Sequence, residues 1–157
     1  MAQTRKTRKH SVNPYIISGT APTHLSNIES DFVSIRSIDP KEVSLKTALG
    51  DPLIAQGRGD IKLTLANGKT LILKDALYIP LLTVPLLSCY KLSKDIGGIS
   101  VETTKTGCIL RHSDGQLFST ATNHPKYGLP GLDLNNAVDI PLPDPSEPRM
   151  AYCLTVL

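Results

Sequence analysis

The stretch from Asp60 to Leu73, DIKLTLANGKTLIL, constrains the fold more than any other part of the chain. Ile61, Leu63 and Leu65 alternate with Lys62 and Thr64, a period of two that turns the apolar side chains to one face of a strand. Asn67-Gly68 follows, the pair favoured where a tight hairpin turn needs a positive φ. Leu71 and Leu73 then open a returning strand that continues towards Leu77 and Ile79. A chain built around such a hairpin is committed to a sheet.

The flanking segments read the same way. PYIISG (14–19) is a short apolar run ending at Gly19, and DFVSIRSI (31–38) sorts into two phases, Phe32, Ser34, Arg36 and Ile38 against Val33, Ile35 and Ser37, which predicts one apolar face. Further on, ISVETTK, GCILRHS and QLFSTA predict three short strands, with Asp114-Gly115 as a second hairpin signal. The exception is VPLLSCYKLSKDIGG (84–98), where Leu86, Leu87, Tyr90 and Lys91 fall near helical spacing and Gly97-Gly98 supplies a stop. Short strands separated by Gly and Asp turns predict an all-β fold, a small closed or partly open β-barrel with one short helix. A length of 157 residues fits one domain, and with only 4% aromatic residues its core must come from Leu, Ile and Val.

Charge and composition divide the chain. Residues 1–10 hold Arg5, Lys6, Arg8 and Lys9 and no acid, so the rest of the chain sums to −1 against a total of +3. That balance disfavours a uniformly basic nucleic-acid-binding domain. RKTRKH can attract phosphate or act as a nuclear import signal; its plainer reading is a solvated arm. Pro141, Pro143, Pro145 and Pro148 each remove a backbone donor, which predicts a tail or linker over 138–157. The expected organisation is a flexible basic arm (1–12), a barrel (13–137) and a proline-rich tail (138–157). No apolar run reaches the ~20 residues of a membrane span, and no apolar stretch after the basic cluster suggests a secretory signal. Cys89, Cys108, Cys153, His10, His112 and His124 are scattered singly. Neither a zinc site nor a disulfide framework is predicted, and Cys89 and Cys108 read as buried apolar residues. No cofactor is expected, and the location expected is intracellular, cytoplasmic or nuclear.

Taken in order, these segments resemble the protease region of copia-type LTR retrotransposon Pol polyproteins. The resemblance rests on Thr23-His24-Leu25, the turn Ala48 to Asp51, GRGDIKL from Gly57, KDALYIP from Lys74, VPLLSCYKL from Val84, GCIL from Gly107 and YGLPGLDL from Tyr127, and so covers about residues 14–134. It implies a retropepsin-like barrel that works as a homodimer, each subunit supplying one catalytic Asp. Two carboxylates ~3 Å apart share one proton, so one acts as base on water and the other as acid. It also implies that the strand from Ile54 to Leu65, with Gly57 and Gly59, and the Asn67-Gly68 hairpin lie near a peptide-binding groove as a flap-like cover.

One departure from that pattern bears on function. The family carries Asp-Ser-Gly where this chain reads Ile17-Ser18-Gly19-Thr20, and neither alignment register supplies a carboxylate. Counting back from His24 puts Ser18 at the Asp position; pairing Ser18-Gly19 with the family's Ser-Gly puts Ile17 there. The nearest acids downstream are Glu29 and Asp31. Ser and Ile do not exchange a proton near neutral pH, so the expectation is a degenerate aspartic endopeptidase that binds peptide or polyprotein segments, or dimerises, without cutting. Two rivals stand beside it. An active endopeptidase processing a Gag-Pol polyprotein needs an acid from elsewhere, such as Asp31 or a partner subunit. A nucleic-acid-binding protein using Arg5, Lys6, Arg8 and Lys9 should lose affinity with salt at a log–log slope of about −3 to −4. Ser18 as a serine nucleophile lacks the strained Gly-x-Ser-x-Gly elbow. Gly57 and Gly59 lack the third Gly and the Lys of a phosphate loop; a bent or closely packed strand explains them as well.

Overall fold

The computed structural model describes residues 7–11, 13–47 and 49–141. The strands are β1 (Thr7–His10), β2 (Ile16–Ser18), β3 (Leu25–Ser26), β4 (Phe32–Ser37), β5 (Leu45–Lys46), β6 (Pro52–Leu53), β7 (Gly57–Thr64), β8 (Thr70–Tyr78) and β9 (Leu86–Ser88). Helix α1 (Cys89–Ile96) follows, then β10 (Ser100–Thr104), β11 (Gly107–Arg111), β12 (Leu117–Asn123), β13 (Pro130–Leu132) and β14 (Val138–Pro141). The fold is all-β with one short helix, as the alternation and turn signals predict.

Ten strands form one sheet in the order β10-β11-β12-β13-β2-β9-β3-β8-β7-β4. Among the described residues no continuous ladder closes it. The Ala66 N–H donates to the Asp133 carbonyl at 2.9 Å and the Asn135 N–H to the Thr64 carbonyl at 3.1 Å, on either side of a lone bridge between Leu65 and Leu134. These bonds tie the end of β7 to the chain just after β13 and curl the middle of the sheet into a partly open barrel. Its apolar interior falls into two clusters. One is built on Tyr15, Ile61, Leu63, Leu73, Leu87 and Leu110, the other on Ile16, Leu25, Leu77, Ile79, Val84 and Leu86. Ile61, Leu63, Leu71 and Leu73 all point inward, as their spacing requires.

The central hairpin turns at Asn67-Gly68. Leu65 and Lys69 are its last paired residues, the Gly68 N–H donates to the Leu65 carbonyl at 2.9 Å, and only Gly68 takes a positive φ, +84°. This is a three-residue loop with glycine in the left-handed position. The second hairpin repeats it: His112 pairs with Gln116, and Gly115 has φ +85°. In each, the residue before the glycine, Asn67 or Asp114, accepts the N–H two residues on at 3.0 Å.

One expectation is corrected. Leu86–Ser88 is a buried strand, and the helix starts only at Cys89, where the Ser88 Oγ accepts the Lys91 N–H at 3.1 Å. Pairing with β2 on one side and β3 on the other outweighs the helical spacing of Leu86 and Leu87. The apolar face of β4 is turned outward: Val33 and Ile35 are 62% and 42% exposed. It is an edge strand, irregular between Phe32 and Ser34, and Ile35 spreads over Gly57. The two terminal segments meet where they are described. Thr7–His10 pairs antiparallel with Val138–Pro141, and His10 is buried with its ring 5.3 Å from that of His124. Pro141 ends this two-stranded ribbon, a place where a missing donor is tolerated. Arg5, Lys6, Cys153 and the rest of the proline-rich segment lie outside the described residues.

Candidate functional site

Strand β9 slots between β2 and β3, running parallel to β2 and antiparallel to β3. This insertion sets Ser18 opposite Ser88, each the last residue of its strand. The loop Ile17-Ser18-Gly19-Thr20 therefore turns away from the sheet beside the start of α1. Ser18 is buried and its Oγ accepts the N–H groups of Ala21 at 3.0 Å and Thr20 at 3.4 Å. Ser88 is fully buried, and its hydroxyl donates to the Ala21 carbonyl at 2.7 Å while capping α1. Two serines thus hold both backbone polar groups of Ala21. Gly19, Thr20 and Pro22 face solvent.

His24 lies fully buried beneath this loop. Its Nδ1 accepts the Ser88 N–H at 3.0 Å, so the neutral ring carries its proton on Nε2, which has no partner among the described residues. Burial, with the Lys91 charge adding to it, pushes the imidazole down to about 4. With its lone pair spent on Ser88 and its basicity lowered, His24 is no base for Ser18.

Asp31 stands apart from the loop, on the 3-10 turn Glu29–Asp31 that leads into β4. The buried Tyr15 hydroxyl donates to its Oδ2 at 2.9 Å, and the Ser26 Oγ lies 2.9 Å from the same phenol oxygen. Tyr15 has one proton, so the order is Ser26 to Tyr15 to Asp31. Burial pushes the Asp31 carboxyl up, an effect the Tyr15 bond partly offsets; burial also raises the phenol, which stays a donor.

The other residues singled out from sequence are dispersed. Gly57 is covered by Ile35, and a Cβ on Gly59 would collide with the Ser34 carbonyl oxygen. Both are sites of close strand approach, and Gly59 also lines a shallow cleft of about 330 Å³ with Arg36, Arg58 and Asp75. Leu77 donates to the His24 carbonyl, so the Gly57 end of the β7–β8 hairpin lies by the loop. The Asn67-Gly68 turn is at the other end, roughly 25–30 Å away along the strands. The structure does not bring it to Ser18. Instead β5 and β6 form a small hairpin of their own, with Leu49 79% exposed near its tip. Arg8 and Lys9 lie on β1. Cys108 is buried, Cys89 only half-buried, and burial pushes both thiols up. Among the described residues no three His, Cys, Asp or Glu converge on a common point, and no helix is long and apolar enough to cross a membrane.

The family model of the Pol polyprotein beta-barrel domain matches residues 15–98, more than half of the chain. The chain belongs to that family. No curated protein and no solved structure matches it. The matched span of this Pol beta-barrel domain begins at Tyr15, just before β2, and ends at Gly98, after α1. It contains the Ser18 loop, His24, Asp31, the long hairpin and Ser88. Sequence pattern picked out Ser18 and His24; it missed Tyr15, Ser26 and Ser88, whose roles depend on partners up to 67 residues away.

Proposed function

We propose that this Pol beta-barrel domain is a retropepsin-like, copia-type barrel that does not cleave peptide bonds and acts by binding an extended peptide or by pairing with a second copy. The observation that carries the reading is the state of Ser18. No carboxyl group occurs from Ser11 to Ile28, and the Ser18 Oγ, at the turn where aspartyl chemistry would need one, is used as a backbone cap with no base beside it. Asp31, the acid an active enzyme would have to recruit, is held by Tyr15 in a separate cleft. The exposed Gly19, Thr20 and Pro22 support pairing of two copies across the loop. The edge strand β4, with Val33 and Ile35 exposed, supports addition of a peptide as a further strand.

The test is incubation of the purified chain, and of Ser18→Asp and Ile17→Asp, with a longer polyprotein precursor at acidic pH. The expected result is no cleavage by the parent chain and pepstatin-sensitive cleavage by one of the two Asp variants, which also decides the register. Pepstatin-sensitive cleavage by the parent chain overturns the reading.

A further inference from the structure

Where the Leu65–Leu134 bridge draws the barrel together, a cleft of about 300 Å³ opens beside the seam. Its apolar surface is Ile28, Leu63 and Leu134, and its polar surface includes Asp31, Asn13, Asn135 and Asn136. None of Ile17 to Thr20 lines it. The volume is some ten times the ~30 Å³ share of one liquid water, enough for the end of a long side chain.

The chemistry of the lining is one-sided. Asp31 contributes a carboxyl group whose Oδ2 is bonded to Tyr15 and whose Oδ1 has no partner among the described residues. Among the described residues no Lys or Arg pairs with it. The side chains of Asn13, Asn135 and Asn136, at the exposed rim, make no hydrogen bond to another described residue. A half-buried carboxylate held only by a neutral phenol is under-compensated, which is why burial raises its protonation range. A cation with several N–H donors would supply the missing charge and occupy the amide oxygens. An anion would meet no positive group among the described lining residues. A divalent metal would find one carboxylate where it favours several oxygen ligands, with charged ones predominating.

We propose that this cleft recognises an organic cation, the ammonium or guanidinium head of a lysine or arginine side chain, with Asp31 taking the charge and Asn13, Asn135 and Asn136 accepting the remaining N–H bonds. The site is independent of the reading given for Ser18 and holds whether or not the loop cuts.

The experiment is an NMR titration of the ¹⁵N-labelled full chain with the amides of N-acetyl-arginine, N-acetyl-lysine and N-acetyl-citrulline, the last a neutral copy of arginine. The expected result is saturable shifts centred on Asp31, Asn135 and Asn136 with one or both cations, and at least tenfold weaker binding of citrulline. Asp31→Asn should weaken the cation at least tenfold and bring it level with citrulline. Asn136→Leu, which leaves the Tyr15–Asp31 bond intact, should also weaken it and decides the matter if Asp31→Asn does not fold. Equal binding of citrulline, shifts that never saturate, or full affinity in both variants overturns the proposal.

Discussion

Ser18 and Ser88 are the same residue at the ends of adjacent parallel strands, in register with each other, and each Oγ accepts the N–H three residues on. Beyond Ser88 a helix of two turns follows; beyond Ser18 there is an irregular loop. The difference lies in what comes next. Cys89 to Ile96 contains no Gly or Pro, and the helix runs until Gly97 takes φ +73°. After Ser18 come Gly19, Thr20, Ala21 and Pro22, and Pro22 both lacks a donor and drives Ala21 out of the helical region. A capping serine therefore starts a helix only where the following residues can continue it. The two sites also differ in burden. Ser18 satisfies its own loop, whereas Ser88 caps α1, holds the Ala21 carbonyl and places its N–H on His24.

That inequality is open to test, beginning with its largest expected effect. Ser88→Ala removes the cap and leaves the Ala21 carbonyl buried without a donor, so it should cost about 2–4 kcal/mol in denaturant unfolding. A loss no greater than that of Ser18→Ala would show the two serines to be equivalent after all. Acid acts on the same junction through His24. Its imidazole is held at about 4 when folded against 6.5 when unfolded, so the unfolded chain takes the proton first. Stability is full above about pH 6.5, falls as the pH drops, and has lost about 3 kcal/mol once the pH passes about 4. His124, also lowered by burial, adds to the acid loss, and Asp31, raised by burial, opposes it. The difference between the parent chain and His24→Gln isolates the His24 contribution. A pH profile of equal steepness in the two would show that His24 is not protonated on unfolding.

Two smaller effects concern Ser18. Ser18→Ala removes one cap from a loop partly open to water and should cost about 1 kcal/mol, read as a small fall in denaturation midpoint. Ser18→Asp keeps an acceptor in place, Asp being as good a cap as Ser, and should lie within about 1 kcal/mol of the parent chain. A much larger loss would mean that the pocket beside Ser88 rejects a carboxylate. In that case the loop is shaped around serine, and the Asp variant cannot report on catalysis.

Much of the fold was legible from residue order alone. The period-two run Ile61–Leu65, the glycine turns at Gly68 and Gly115 and the stop at Gly97 state local preferences that tertiary contacts reinforce. Leu86 and Leu87 were misread because two adjacent leucines fit a helix and a buried strand equally well. Only their neighbours in the sheet, Ile16 and Ile17 on β2 and Leu25 on β3, decide between the two. Alternation at Val33 and Ile35 says that two faces differ, not which of them meets the core. Of the site, Ser18 and His24 were visible because the chain departs from or keeps a pattern there. The Ser26–Tyr15–Asp31 series and the role of Ser88 had no local signal.

The sequence by itself determined that the chain is a β-protein, where its tight turns fall, and that no carboxyl group lies between Ser11 and Ile28. Those properties belong to single residues and near neighbours. The tertiary structure decided what Ser18, His24 and Asp31 can do. A hydroxyl, an imidazole or a carboxylate takes its chemistry from partners and burial, and here both are supplied by strand β9, helix α1 and Tyr15 once the sheet has brought them together.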